Sequence, residues 1–99
     1  MYGTVARIRV KPGAEQALMD QFRAFSALHV AGYRATYAYR MDADANEFYL
    51  AIVFDSKASY RANAESAEQD QRYREMLPLL EGAPEWHDGE ILVDTSQSA

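Results

Sequence analysis

The residues best suited to chemistry lie in the stretch APEWHDGEILV, residues 83 to 93, which holds the only Trp and one of the two His. His87 could move a proton near neutral pH, and Trp86 could stack on an aromatic compound. Successive side chains of a strand point to opposite faces, so the two residues cannot converge on one small substrate. The more ordinary role of Trp86 is an anchor at a sheet edge or dimer seam, and that of His87 is a hydrogen-bonded structural residue.

Tyrosine is the other abundant side chain with chemical capacity, with seven copies in 99 residues. Tyr33, Tyr37 and Tyr39 alternate within residues 33 to 41, which predicts one shared face. Such a row could fill a dimer interface, or it could bind a flat phenolic compound by stacking and hydroxyl contacts. The side chains predicted to line a substrate cavity are Phe22, Phe54, Tyr60, Tyr73 and Tyr37.

Composition excludes several classes of function. The net charge is −5, and no Lys/Arg cluster offers nucleic acid a basic face. The chain has no Cys, hence no disulfide, thiolate nucleophile or Cys-based metal site. The two His fall on separate predicted elements, and such a pair does not make a metal site. The sequence contains no recognisable nucleotide-binding fingerprint and no Ser/His/Asp triad. Without a signal peptide or an apolar run long enough to span a membrane, a soluble, cytoplasmic protein is expected.

Hydrophobic periodicity predicts the elements that must position these residues. Period two in residues 2 to 11 indicates a half-buried strand, and helical spacing follows from 14 to about 29. Two more strands are predicted at 33 to 41 and 46 to 54, then a helical region from 56 to about 80 and a last strand from 85. The order β-α-β-β-α-β predicts an α+β, ferredoxin-like fold, in which two helices pack on one face of a four-stranded antiparallel sheet. The predicted domain spans residues 1 to 93, and a flexible tail is predicted at 94 to 99.

The strand at 46 to 54 is apolar on both faces. Phe48, Leu50 and Phe54 alternate with Tyr49, Ala51 and Val53. A strand apolar on both sides is normally covered on both sides, and a domain this small has too few helices for that. The sequence therefore predicts a symmetric homodimer packed sheet against sheet.

The segments VARIRVKPGAEQALMDQF, DSKASYRANAES and PEWHDGEI, in this order and spacing, resemble the antibiotic biosynthesis monooxygenase family of the dimeric α/β-barrel superfamily. The resemblance covers about residues 2 to 93. It implies a homodimer whose two sheets close a barrel, with a ligand cavity in each subunit between sheet and helices. Some members oxidise anthrones or quinols with O₂ and no cofactor, and others degrade haem.

The chain departs from many members of that family on the helix after the third strand. Many carry a His near the position of Asn63, and this helix has none, which disfavours haem ligation. The leading interpretation is a monooxygenase acting on a small aromatic or quinol compound without metal, flavin or other cofactor, with Asn63, Trp86 and His87 as catalytic candidates. The alternatives are a non-catalytic ligand-binding or dimerisation domain of the same fold and, more weakly, haem binding or degradation.

Overall fold

The computed structural model describes residues 1–95, so positions 96 to 99 of the predicted tail lie outside the described residues. Residues 1–95 form four strands and three α-helices, and a short 3₁₀ turn follows the third helix at Leu77–Leu79. The elements are β1 (Tyr2–Arg9), α1 (Glu15–Ala27), β2 (Tyr33–Arg40), β3 (Glu47–Phe54), α2 (Lys57–Ala64), α3 (Ala67–Met76) and β4 (Glu85–Glu90).

The four strands form one antiparallel sheet in the order β2-β3-β1-β4. This confirms the predicted ferredoxin-like fold, with one difference in the second helical region, which is split into α2 and α3. Ser66 explains the split, because its hydroxyl donates to the carbonyl oxygen of Asn63 and accepts from the backbone N–H of Gln69. The same side chain thereby ends one helix and caps the next.

Alternation along the strands produces one buried face, which we call the covered face because the helices pack on it. Ala6 and Ile8 of β1 and Leu50 of β3 are at most 2% exposed. Leu18 of α1 and Met76 of α3 join the same buried cluster. Burial of these side chains supplies the main stabilisation of the fold and fixes the helices over the sheet.

A β-bulge in β2 corrects one prediction. Tyr33 pairs with Phe54 but Ala35 pairs with Val53, so Arg34 is an extra residue in the ladder. The extra residue reverses the alternation, and Tyr33 packs against Phe54 on the covered face at a ring separation of 5.6 Å. The prediction that Tyr33 shares a face with Tyr37 and Tyr39 is therefore wrong.

The opposite side of the sheet, which we call the uncovered face, carries exposed apolar side chains. Val5, Tyr37 and Tyr39 are 51%, 59% and 56% exposed. Across the ladder, Ala51 of β3 pairs with both Val5 and Tyr37, and Tyr49 pairs with Tyr39. Val53 of β3 lies on the same face. This is the second apolar side of β3 that the sequence indicated. Within residues 1–95, none of the helices has the length and hydrophobicity that crossing a membrane would require.

Candidate functional site

A half-open cavity of about 720 Å³ lies between the covered face and the helices. All four strands and all three α-helices contribute to its wall. Small-molecule sites typically occupy about 300 to 1,000 Å³ and are mostly apolar with a few polar groups. The volume is therefore sufficient for a ligand of several fused rings.

Aromatic rings form much of the cavity wall. The Tyr60 ring lies edge-on to the rings of Tyr2 and Phe54, at centroid separations of 5.3 and 5.6 Å. The Trp86 ring lies 6.4 Å from that of Tyr73. Edge-on and tilted contacts of this kind hold aromatic side chains in defined orientations. Such a wall suits a flat, unsaturated ligand.

The structure brings most of the predicted site residues to this cavity and leaves two of them outside it. Tyr37 is on the uncovered face, and His87 is there too, with its Nε2 atom 2.9 Å from Oε1 of Glu85. Trp86 and His87 do point to opposite faces, as strand alternation requires. The predicted residues that line the cavity are Phe22, Phe54, Tyr60, Asn63, Tyr73 and Trp86.

Asn63 is oriented by a neighbour from α3. The Nη2 atom of Arg72 donates to Oδ1 of Asn63 at 3.2 Å, and its Nε atom donates to Oε1 of Gln69 at 3.0 Å. The guanidinium also lies 5.0 Å from the centroid of the Phe25 ring. With its oxygen engaged, Asn63 presents an amide N–H₂ group, a donor suited to a ligand oxygen.

A second polar group on the wall consists of Thr4, Tyr60 and Asp88. The Tyr60 hydroxyl donates to Oδ1 of Asp88 at 2.8 Å. Thr4 stands opposite Asp88 in the β1–β4 ladder and is only 4% exposed. Its Oγ1 atom has no hydrogen-bond partner among residues 1–95. An unsatisfied buried hydroxyl costs about 1–3 kcal/mol, so it calls for an explanation.

The environment of Tyr60 keeps its hydroxyl protonated. Burial, together with the hydrogen bond to Asp88 and the charge of that residue, raises the pKa of Tyr60 to about 12. The nearby Thr4 hydroxyl acts in the opposite direction and lowers this pKa, although the two hydroxyls do not have the geometry of a hydrogen bond. At neutral pH Tyr60 is thus a hydrogen-bond donor to Asp88 and not a base.

The sequence profile described as antibiotic biosynthesis monooxygenase matches residues 1–75. The chain belongs to the antibiotic biosynthesis monooxygenase family. The matched stretch includes β1 to β3, α1, α2 and most of α3. Strand β4, with Trp86 and Asp88, follows it.

Solved structures of other proteins share the fold of this family member. Proteins from Nitrosomonas europaea and Chloroflexus aurantiacus, each provisionally named an antibiotic biosynthesis monooxygenase, superpose with TM-scores of 0.77 and 0.76 at 15% and 20% identity. The match covers 96% of this chain in both cases, and 93% and 96% of the other chains. A similarly named Deinococcus radiodurans protein superposes over 100% of both chains, with a TM-score of 0.77 at 9% identity. No curated protein sequence matches the chain.

Among the polar residues of the cavity wall that sequence reasoning about this family member missed are Thr4, Arg72 and Asp88. Thr4 was detectable as a polar residue within the apolar row of β1, and Asp88 as a residue sharing the face of Trp86. Arg72 gave no such signal, because its contact with Asn63 depends on the angle between α2 and α3. Within residues 1–95, no three His, Asp or Glu side chains gather where they could hold a metal ion.

Proposed function

We propose that this protein is a monooxygenase that oxidises a small aromatic or quinol compound with O₂ and uses no metal or flavin. The open, largely apolar cavity between sheet and helices is the observation that carries the proposal. In a vestigial pocket, Phe22, Tyr60 and Trp86 would fill this space. Here they line it, which favours a ligand-binding site over a purely structural domain.

The cavity can assist such chemistry by positioning the substrate among apolar and aromatic side chains. The substrate loses a proton to solvent water, and the resulting electron-rich carbanion reduces O₂ and forms a C–O bond. For a ring CH₂ group, one oxygen atom becomes the ketone and the other leaves as water, so atoms and electrons balance. We assign Asn63 to donate a hydrogen bond to the substrate oxygen that carries the developing negative charge. Trp86 holds the ring in place from the sheet side.

The proposed assembly is a homodimer in which two uncovered faces pack against each other. Exposed Val5, Tyr37 and Tyr39 are the kind of apolar and aromatic side chains that interface centres favour. Salt bridges border this patch at the end of β1, with Arg7 lying 2.7 Å from Glu47 and 3.7 Å from Glu85. Charged residues at the edge of an apolar patch are typical of protein interfaces. The proposed location is the cytoplasm, in agreement with the absence of Cys.

An oxygen-electrode assay tests the proposed activity. Purified protein is mixed with an anthrone or a quinol in the presence of a chelator, and O₂ uptake is compared with the rate without protein. The wild type should accelerate O₂ uptake. The variants Asn63→Ala and Trp86→Phe should each lower kcat at least about tenfold. A tenfold loss corresponds to about 1.4 kcal/mol of transition-state stabilisation. Their melting temperatures should fall by less than about 5 °C.

Exposed Glu65, two residues beyond Asn63, supplies the matched control, and Glu65→Ala should retain full turnover. Equal losses of turnover and thermal stability in the two cavity variants would place both residues in a structural role. Loss of turnover in His87→Gln instead would locate the chemistry at the uncovered face.

A further inference from the structure

The cavity wall contains a partly buried cation that has no carboxylate partner. Arg72 lines the cavity, and none of the Asp and Glu side chains within residues 1–95 forms an ion pair with it. Of the two other arginines without an ion pair there, Arg34 and Arg61 are both exposed, so water can solvate their charges. The five ion-paired arginines are Arg7, Arg9, Arg23, Arg40 and Arg74.

The guanidinium of Arg72 keeps free hydrogen-bond donors. Its Nε and Nη2 atoms each donate one hydrogen bond, to Gln69 and Asn63. An arginine side chain has five N–H donors, so three remain, two of them on Nη1. The Nη1 atom makes no hydrogen bond within residues 1–95 and is not among the fully buried atoms without a partner, so it is accessible. A ligand in the cavity can use these donors.

We propose that Arg72 binds a carboxylate group of the aromatic ligand, so that the cavity selects ring compounds that carry an acid over their neutral amides. The proposal rests on the proposed function in taking this cavity as the substrate site. It adds the functional group that the substrate carries and the side chain that recognises it.

A carboxylate matches the free donors in charge and in geometry. The guanidinium is a planar fork, and the two oxygens of a carboxylate can accept from its Nη1 and Nη2 atoms at once. A neutral amide has only one oxygen to accept, and its N–H₂ group would face the donors of Arg72. Arg72 can therefore discriminate between two groups of nearly the same shape.

Arg72 is oriented before a ligand arrives. The side chains of Gln69 and Asn63 hold two of its nitrogen atoms, and its guanidinium lies 5.0 Å from the centroid of the Phe25 ring. A side chain that is already held loses little rotamer freedom when it binds a ligand. The free donors are thus presented in a fixed direction.

The acids of the cavity wall are engaged with other residues. Asp70 forms an ion pair with Arg74 at 3.0 Å, and the Glu75 carboxylate accepts from the side chain of Gln71 at 3.2 Å.

Asp88 accepts from Tyr60 at 2.8 Å and belongs to β4, whereas Arg72 belongs to α3. A ligand therefore avoids the charge of Asp88 by directing its acid group towards α3 and its ring towards the sheet.

A purely structural role explains only part of the contacts of Arg72. Joining α3 to Asn63 of α2 requires one N–H donor, which a neutral side chain could supply. A partly buried charge without a counter-ion is instead unfavourable. A ligand carboxylate would supply the missing counter-ion.

Calorimetric titration with 2-naphthoate and 2-naphthamide at neutral pH tests the proposal. The two probes share the ring system and differ in charge, because the acid is ionised at this pH. The wild type should bind 2-naphthoate at least about tenfold more tightly, as expected for charge-assisted hydrogen bonds. Arg72→Gln should reduce this preference to less than about threefold.

Arg34→Gln is the matched control, because Arg34 is also without an ion pair within residues 1–95 and does not line the cavity. It removes the same charge and should retain the full preference. Equal affinity of the wild type for both probes, no binding of 2-naphthoate, or an undiminished preference in Arg72→Gln would each overturn the proposal.

If Arg72→Gln does not fold, nuclear magnetic resonance of the wild type decides. The Nε–H resonance of Arg72, assigned through its own side chain, should shift as 2-naphthoate is added, and that of Arg34 should not. An Arg72 resonance that does not move would contradict the proposal. O₂ uptake enters neither experiment, so an acid-selective protein without turnover would refute only the proposed oxygenase, and an active enzyme without this preference only the role of Arg72.

Discussion

The two faces of this sheet are made by the same four strands and are suited to different partners. On the covered face, helices enclose a concave space with aromatic walls and a few polar groups. On the uncovered face, Val5, Tyr37 and Tyr39 form an exposed apolar patch edged by salt bridges. Tyrosine is prominent on both faces, so residue type does not separate a ligand site from an interface. The shape of the surface does, because a small molecule needs a cavity and a protein partner can use an open face.

Deleting an apolar side chain from each face should give the largest contrast. Leu50→Ala on the covered face should lower the free energy of unfolding by about 2–5 kcal/mol, because Leu50 is 1% exposed. Val5→Ala, at 51% exposure, should cost about 1 kcal/mol or less in a monomer. Urea denaturation at two protein concentrations checks this. A loss for Val5→Ala that depends on protein concentration would show that a partner subunit buries the uncovered face.

Charging the uncovered face should separate the proposed dimer. The double variant Tyr37→Asp/Tyr39→Asp places four like charges, two per subunit, in the proposed interface, where unpaired buried charge is costly. Light scattering after size exclusion should change from twice the chain mass of 11.2 kDa to a single chain mass. Val93→Asp is the control, since Val93 is 75% exposed and lies after the last strand. A single chain mass for the wild type would contradict the proposed assembly.

The smallest contrast is the titration of Tyr60, which helix α2 places over the covered face. Tyr60 should ionise near its folded pKa of about 12, and Asp88→Asn should bring that step closer to the ordinary value of about 10. Because the folded pKa is raised, the stability linked to Tyr60 is fully present below about pH 10 and is lost as the pH rises towards 12.

Absorbance at 295 nm against pH follows this step, and Tyr60→Phe should remove it. If the titration curves of the wild type and Asp88→Asn coincide, the hydrogen bond between Tyr60 and Asp88 does not form in solution.

Periodicity was enough to predict much of the fold. Alternation predicted that Trp86 and His87 point to opposite faces, and the apolar character of β3 on both sides indicated an exposed apolar surface. Placement of Tyr33 failed because one extra residue, Arg34, reverses the alternation, and nothing in YRATYAYR marks a bulge. The division between α2 and α3 was also missed, although Ser66 has the residue type of a helix cap.

The candidate site was less predictable, because its polar contacts join residues far apart in the chain. Tyr60 and Asp88 are 28 positions apart, and their contact depends on how α2 crosses the sheet. The pairing of Arg72 with Asn63 likewise follows from the packing of one helix on another. Sequence patterns report which face a residue occupies, but the distance between two elements is set by the packing of all the others.

The bulge at Arg34 has a consequence for how this protein can evolve. Substitutions act on one face of the sheet at a time, because each side chain faces one way. Deletion of Arg34 would restore regular alternation, which would move either Tyr33 or the pair Tyr37 and Tyr39 to the opposite face. A single in-frame loss of one codon could therefore remodel a ligand cavity or a subunit interface in one step. An insertion or deletion in β2 changes the face that several side chains occupy, whereas a point mutation changes one side chain on one face.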